Sequence, residues 1–229
     1  MVEGAQAADI RTLAPRDVVV LAPHADDETL GCGMAIHAAL RAGRSVTVVL
    51  VTDGTASHRA SRTHPPAVMA RLRRAEFEAA VSRLGAGRIA MRCLDLKDAG
   101  LRPDAASRDA ILDGLADLSP GVVWATWGGD PHCDHQATAL AARALARRHG
   151  VAHWSYAVWG RFGRRPLPSR RAVRRFGCAR AVDAKRHAAR CYRSQLTRMV
   201  RDDPDAFTMP GALTRHFLDT PEIFIREVP

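Results

Sequence analysis

Lysine is nearly missing from this 229-residue chain: of 34 basic residues only Lys97 and Lys185 are lysines, and the rest are arginines. The arginines carry a net charge of +10. That charge alone marks no nucleic-acid surface, because aromatic residues make up only 5% of the chain and no nucleic-acid-binding motif accompanies it. No nucleic-acid partner is expected. Paired cysteines are missing too. Cys32, Cys93, Cys133, Cys178 and Cys191 lie far apart, with no C-x2-4-C spacing to nucleate a structural zinc site or a redox pair, so reduced thiols in a cytoplasm are expected. The start, Met1-Val2-Glu3, has no basic segment followed by an apolar run, and no stretch approaches the roughly 18 apolar residues a membrane span needs. The expectation is a cytoplasmic protein without a transmembrane segment. A hydrophobic content of 47% excludes a chain too polar to bury a core.

What is present is an alternation of short apolar runs with helical periodicity. After a polar leader over residues 1–16, "DVVVLA" (17–22) is the β-branched run of a strand buried on both faces. "ETLGCGMAIHAALRAG" (28–43) then sets Leu30, Met34 and Ala38 at four-residue spacing and stops at Gly43, a left-handed helix end. The pattern repeats, with strands over 45–54, 88–95, 121–127 and 152–159, and helices over 66–84, 105–118 and 135–149 that close at Gly85 and Gly150 where they end in glycine. Beyond 160 it weakens, apart from a helix predicted from Asp183 to about Met199. No repeat or linker interrupts the chain, so one α/β domain over residues 1–229 is expected, its mostly parallel sheet covered by helices on both faces. The run "RFGRRPLPSRRAVRR" (161–175) holds seven arginines with two prolines and a glycine. It is expected to be a solvated loop, with a phosphate- or polyanion-binding patch as the alternative.

In such sheets ligands bind at the carboxyl ends of the strands, where the strand order reverses. Two polar clusters have that address: "HADDE" (24–28) after the first strand of the alternation, and "GGDPHCDHQA" (128–137) after "GVVWATW". A catalytic zinc takes three protein ligands from histidine and carboxylate and keeps a fourth position for water; His24, Asp27 and His135 can supply them. Asp26 must then point elsewhere, and toward the water it would serve as general base. His132, three residues before His135, would stabilise an oxyanion or protonate a leaving group. Asp134 has two readings, a cap for the following helix or an orienter of one imidazole. Cys133 is set aside as a ligand because its neighbours crowd the turn. His37, His58, His64, His149, His153, His187 and His216 are read as ordinary core or surface residues. A structural zinc would close with four ligands, so three ligands beside an unengaged carboxylate and histidine favour an enzyme over a binding module.

Together "PHADDETLGCG" and "DPHCDH" resemble the P-H-P-D-D-E and H-P-D-H motifs of the LmbE-like/PIG-L family of zinc-dependent N-acetylglucosaminyl deacetylases. The resemblance implies a Rossmann-like three-layer sandwich and hydrolysis of an amino-sugar acetamide to free amine and acetate. It implies His24, Asp27 and His135 on one Zn2+, with Fe2+ as the alternative metal, Asp26 as base, His132 on the oxyanion and Asp134 tuning His132. Ala25 and Cys133 replace the family's two prolines without removing a ligand. Fainter matches give Arg73 and Asp98 as sugar-binding residues, Asp53 as a supporting turn residue and Gln195 as a residue approaching the pocket. The implied partner is a small amino-sugar conjugate, and the arginine-rich segment suggests one carrying a phosphate or nucleotide. Two other readings stand beside this one: a metal-dependent hydrolase of another bond such as a phosphoester, and a catalytically silent basic module that binds an acidic glycan or polymer.

Overall fold

The computed structural model describes residues 5–162 and 172–227. Its strands are β1 (Gln6–Ala7), β2 (Val18–Ala22), β3 (Val46–Thr52), β4 (Ala90–Leu96), β5 (Val122–Thr126), β6 (Ala152–Tyr156), β7 (Val173–Phe176) and β8 (Glu222–Arg226). The helices are α1 (Ile10–Leu13), α2 (Asp27–Arg41), α3 (Pro66–Gly85), α4 (Ala105–Asp113), α5 (Cys133–His149), α6 (Val182–Ala189), α7 (Arg193–Leu196) and α8 (Gly211–Asp219). The strands form one sheet in the order β1-β7-β8-β6-β5-β2-β3-β4. Only β8 runs against its neighbours, β6 and β7.

The β-branched runs explain the layering. All five residues of β2 and all five of β5 are buried, because successive side chains feed opposite faces and both faces are covered. Val18 and Val20 join the larger core beneath α2 and α3, while Val19 and Leu21 join a second core with residues of α4 and α5. Close approach on the first face needs a glycine: a β-carbon at Gly31 of α2 would meet the Tyr156 ring at 2.3 Å. Helix ends follow the chemistry read from sequence at Gly43 (φ +78°) and Gly150 (φ +62°). The third end moves by one residue, since Gly85 stays helical and Ala86 and Gly87 take the left-handed turn.

The predicted α/β sandwich with a mostly parallel sheet is the observed fold. Three expectations near the termini change. The leader over 1–16 is structured from residue 6 by β1 and α1, where Asp9 caps the helix. The helix expected from Asp183 to Met199 breaks at Arg190 into α6 and α7. Of the arginine run 161–175, residues 163–171 lie outside the described residues, and its described ends are not loop. Arg161 is buried in a short 3-10 turn and donates to the Thr220 hydroxyl and Pro221 carbonyl, while Val173–Phe176 is β7. All five cysteines are free thiols. Among the described residues no helix is long and apolar enough to cross a membrane.

The strand order sets the place of the site. From β2 the chain proceeds through β3 and β4 to one edge, then returns to pair β5 with β2 and continue outward through β6. The reversal lies between β2 and β5, so their carboxyl ends open into a common crevice.

Candidate active site

The first side of the crevice is the turn from β2 into α2. The His24 N–H donates to Asp27 Oδ2 (3.0 Å) and the Asp27 N–H to the His24 carbonyl (3.2 Å), a closed turn that brings both side chains to one place. Asp26 between them sits at φ +123°, ψ −27°, a backbone state that non-glycine residues avoid at a cost on the order of 1–3 kcal/mol. Neighbours hold it there. Glu28 Oε2 accepts the Asp26 N–H (3.2 Å), the Asp26 carbonyl accepts the Leu30 N–H (2.8 Å), and Arg73 Nη2 donates to the Ala25 carbonyl (2.5 Å). Glu28 is itself fixed, fully buried, by the Tyr192 hydroxyl (2.5 Å) and the Thr29 hydroxyl.

The second side is the loop from β5 into α5. His132, not Asp134, is the N-cap, its Nδ1 accepting the Asp134 N–H (3.3 Å). The Asp134 carboxylate is fully buried and accepts the N–H groups of Ala99 (2.8 Å) and Leu101 (3.0 Å). Of the two imidazoles it reaches His24, with Oδ2 3.1 Å from His24 Nε2 against 3.9 Å to His132 Nδ1. The carboxylate that the resemblance assigned to His132 therefore lies nearer His24, and only the Asp134 backbone N–H bonds the His132 ring. His135 is fully buried, and its Nδ1 meets Asp130 Oδ2 at 2.8 Å. The same Asp130 carboxylate accepts backbone N–H groups of Val158, Trp159 and Gly160 at 3.3, 3.2 and 2.6 Å. Gly160 permits this: a β-carbon there would lie 2.5 Å from Asp130 Oδ1.

Across the crevice the two clusters meet. Asp27 Oδ2 lies 3.3 Å from both His24 Nδ1 and His135 Nε2, and ring nitrogens of His24, His132 and His135 come within 4.8 Å of one another. Asp98 Oδ1 adds a contact to His24 Nε2 at 3.2 Å. So much carboxylate around imidazole shifts the protons. Burial opposes charge on His24, yet Asp134, Asp27 and Asp98 raise its pKa well above the ordinary value. Burial likewise opposes charge on His135, but Asp27 and Asp130 raise it to about 9. Against burial, Asp27 is pulled down by His135 and His24 and Asp134 by His24 and the Ala99 N–H, and Asp98 falls to about 2 beside His24. Burial, with His24 and His135 nearby, lowers His132. Asp26 stands apart: burial raises it to about 7 against the pull of Arg73, whose Nη2 is 3.6 Å from Asp26 Oδ2.

The donor set fits a metal ion. With Asp130 on its Nδ1, His135 turns Nε2 toward Asp27 and His24, and among the described residues that buried nitrogen makes no aligned hydrogen bond and keeps only the 3.3 Å ion-pair contact to Asp27 Oδ2. Imidazole and carboxylate together suit zinc or iron(II). The other expected residues also converge. Arg73 and Asp98 line the same pocket of about 790 Å³ as His24, Asp26, Asp27 and His132, and Gln195 reaches it with its backbone tied to Met209 (2.8 Å). Arg73 is braced by Glu76 (3.6 Å), while its Nη1 and Nε have no hydrogen-bond partner among the described residues. Asp53 lies behind the pocket, accepting N–H groups of Thr55 (3.0 Å) and Asp98 (3.2 Å), so its turn role and its supporting role coincide. Glu28 and Asp130 carry weight that sequence reasoning did not assign. Both stood inside the quoted motifs, and the signal was there: a carboxylate beside ligand residues is a candidate to hold them.

Comparison with known proteins bears on the family and the fold. The PIG-L family profile, described as GlcNAc-PI de-N-acetylase, matches residues 19–146, more than half of the chain and both clusters. No curated protein sequence matches. Among solved structures, the A40926 pseudoaglycone deacetylase Dbv21 is 24% identical, with 92% of this chain and 96% of that one covered at a TM-score of 0.68. The N,N'-diacetylchitobiose deacetylase of Pyrococcus horikoshii is 20% identical, covering 93% and 84% at 0.68. GalB of Pseudomonas putida KT2440, a 4-carboxy-2-hydroxymuconate hydratase, is 19% identical, covering 93% and 97% at 0.62. These likenesses establish the fold, and the hydratase shows that the fold alone does not fix the reaction. The matching motifs, the sheet and the profile over both clusters together make the chain a member of the PIG-L (LmbE-like) family.

Proposed function

We propose that the chain acts as a single-domain, metal-dependent N-deacetylase, removing the acetyl group from an N-acetylglucosamine-type conjugate to give a free amine and acetate. The observation that carries this reading is the convergence of His24, Asp27 and His135, with a buried His135 nitrogen that has only the ion-pair contact to Asp27, beside a carboxylate they do not use, Asp26. His24, Asp27 and His135 would hold the ion, zinc by preference and iron(II) as the alternative. When bound there, the metal supplies Lewis-acid polarisation of the amide carbonyl and lowers the pKa of water.

The remaining chemistry belongs to the chain. Asp26 takes the proton of the attacking water on its carboxylate and can return it to the departing amine. Its strained backbone and buried surroundings fix that carboxylate in the pocket. His132, the more exposed of the three clustered histidines, donates to the developing oxyanion or to the leaving nitrogen. Arg73 and Asp98 line the pocket where sugar hydroxyls would lie. The five free thiols support a cytoplasmic setting. Replacing Asp26 by asparagine tests the assignment: acetate release should fall at least about a hundredfold, the low end for a general base, while bound metal stays near one equivalent. Retained activity would remove Asp26 as base.

A further inference from the structure

The pocket is larger and less polar than hydrolysis of a sugar acetamide requires. At about 790 Å³ it matches sites that enclose whole drug-sized ligands, roughly 300–1,000 Å³. Its reactive end holds His24, Asp26, Asp27, His132 and Asp98, whereas Leu30, Val158, Trp159, Phe207 and Met209 give it an apolar wall. Phe207 is 46% exposed, and of the large hydrophobic side chains exposed among the described residues (Met91, Phe162 and Phe207) it alone lines this pocket. An aromatic face left open beside a reactive centre marks a place for an apolar group.

This wall is built in register with the chemistry. Phe207 packs edge-on against Trp159, with ring centroids 5.5 Å apart at 87°, and Trp159 backs onto Phe217 at 6.5 Å. The Trp159 N–H is held by Asp130, the carboxylate that also holds His135. The segment bearing Phe207 is tied to another lining segment at Ala60, because Asp203 accepts the Ala60 N–H (2.9 Å) and Asp202 accepts the Arg62 and Thr63 N–H groups (2.8 Å each). The pocket is thus preformed. Among the described residues, Arg59 lines the pocket together with Asp203 and Asp205, Arg73 is engaged by Asp26 and Glu76, and Arg161, Arg174 and Arg175 do not line it. The phosphate or nucleotide that the arginine-rich segment suggested finds no cationic cradle among the described residues.

We propose that the outer half of the pocket takes an uncharged, hydrophobic aglycone carried by the amino sugar, selected by Phe207 and Trp159. The inference rests on the deacetylase reading above, and its test separates the two. Acetate release is measured from free N-acetylglucosamine, its phenyl and hexyl glycosides and UDP-N-acetylglucosamine, with wild type, Phe207→Ala and Phe207→Leu. The phenyl or hexyl glycoside should exceed the free sugar in kcat/KM by about tenfold or more, mainly through KM, on the scale of one buried apolar group. The nucleotide sugar should not exceed it. Phe207→Ala should remove most of that ratio and Phe207→Leu should restore part of it. A nucleotide-linked substrate that is best, or a ratio unmoved by Phe207→Ala, would overturn the inference while leaving the deacetylase standing. If no member releases acetate, the deacetylase reading fails, and binding of hexyl glucosaminide and glucosamine 1-phosphate, read by tryptophan fluorescence, still decides the pocket. Tighter binding of the hexyl compound that weakens in Phe207→Ala supports the inference; equal or reversed affinities overturn it.

Discussion

Asp130 shows how much of the site rests on residues that never touch a metal. Its carboxylate fixes the His135 tautomer through Nδ1 and ties three backbone N–H groups beyond β6 to the same point. Groups placed in this way typically contribute 10- to 100-fold in metal affinity. Asp130→Ala is therefore expected to weaken zinc binding by about 10- to 100-fold, read by competition with a chromophoric chelator, whereas Asp134→Asn keeps a carbonyl acceptor for one backbone N–H and should cost less. Unchanged affinity in Asp130→Ala would remove it from this role. At this scale the sequence was most informative where chemistry concentrates, since His24, Asp26, Asp27, His132 and His135 stood out by type and spacing. Glu28 and Asp130 were visible only as carboxylates beside ligand residues, because what each one ties down lies far off in the chain: Tyr192 for one, and the segment 158–160 for the other.

The element that carries Asp27 is a broken helix. α2 loses helical geometry at Cys32 (φ −145°, ψ +21°), which frees backbone groups that must find partners in the core. Glu222 of β8 accepts the Met34 and Ala35 N–H groups at 2.6 and 2.9 Å, and Lys185 of α6 donates to the Leu30 carbonyl (2.9 Å) and to Glu222 (2.8 Å). One of the chain's two lysines is thus fully buried. Lys185→Met leaves Glu222 as an unpaired buried charge and should cost about 3–5 kcal/mol in denaturant unfolding. Combining it with Glu222→Gln should recover part of that loss, and strictly additive losses would argue against a coupled pair. None of this was legible along the chain. The periodicity of 28–43 describes an unbroken helix, and the kink becomes affordable only through β8 and α6: the helix at α6 was expected, but its contact with α2 was not, and the antiparallel, late β8 lay outside the alternating β-α pattern.

On the scale of the whole molecule, the central strands β2, β3 and β5 were legible because burial on both faces writes near-continuous apolar runs. The half-sheet of β1, β7 and β8 was not, since two of these strands are four residues or fewer and their pairing is set by contacts across the chain. One core histidine links this sheet to solution conditions. His153 in β6 is 5% exposed, its ring nitrogens have no hydrogen-bond partner among the described residues, and burial, with Arg143 nearby, lowers its pKa to about 3. The folded chain then binds fewer protons than the unfolded one between about pH 3 and 6.5, so stability is full above that window and falls as pH drops through it. His153→Leu should remove about 2 kcal/mol of the loss measured between pH 7 and pH 5, and an identical pH slope in both proteins would contradict this. The central claim, that the crevice between β2 and β5 performs metal-dependent N-deacetylation, is tested most directly by acetate release from an N-acetylglucosamine glycoside as purified, after chelation, and after zinc is restored. Release that disappears on chelation and returns with about one equivalent of zinc is the predicted result; release indifferent to chelation would contradict the account.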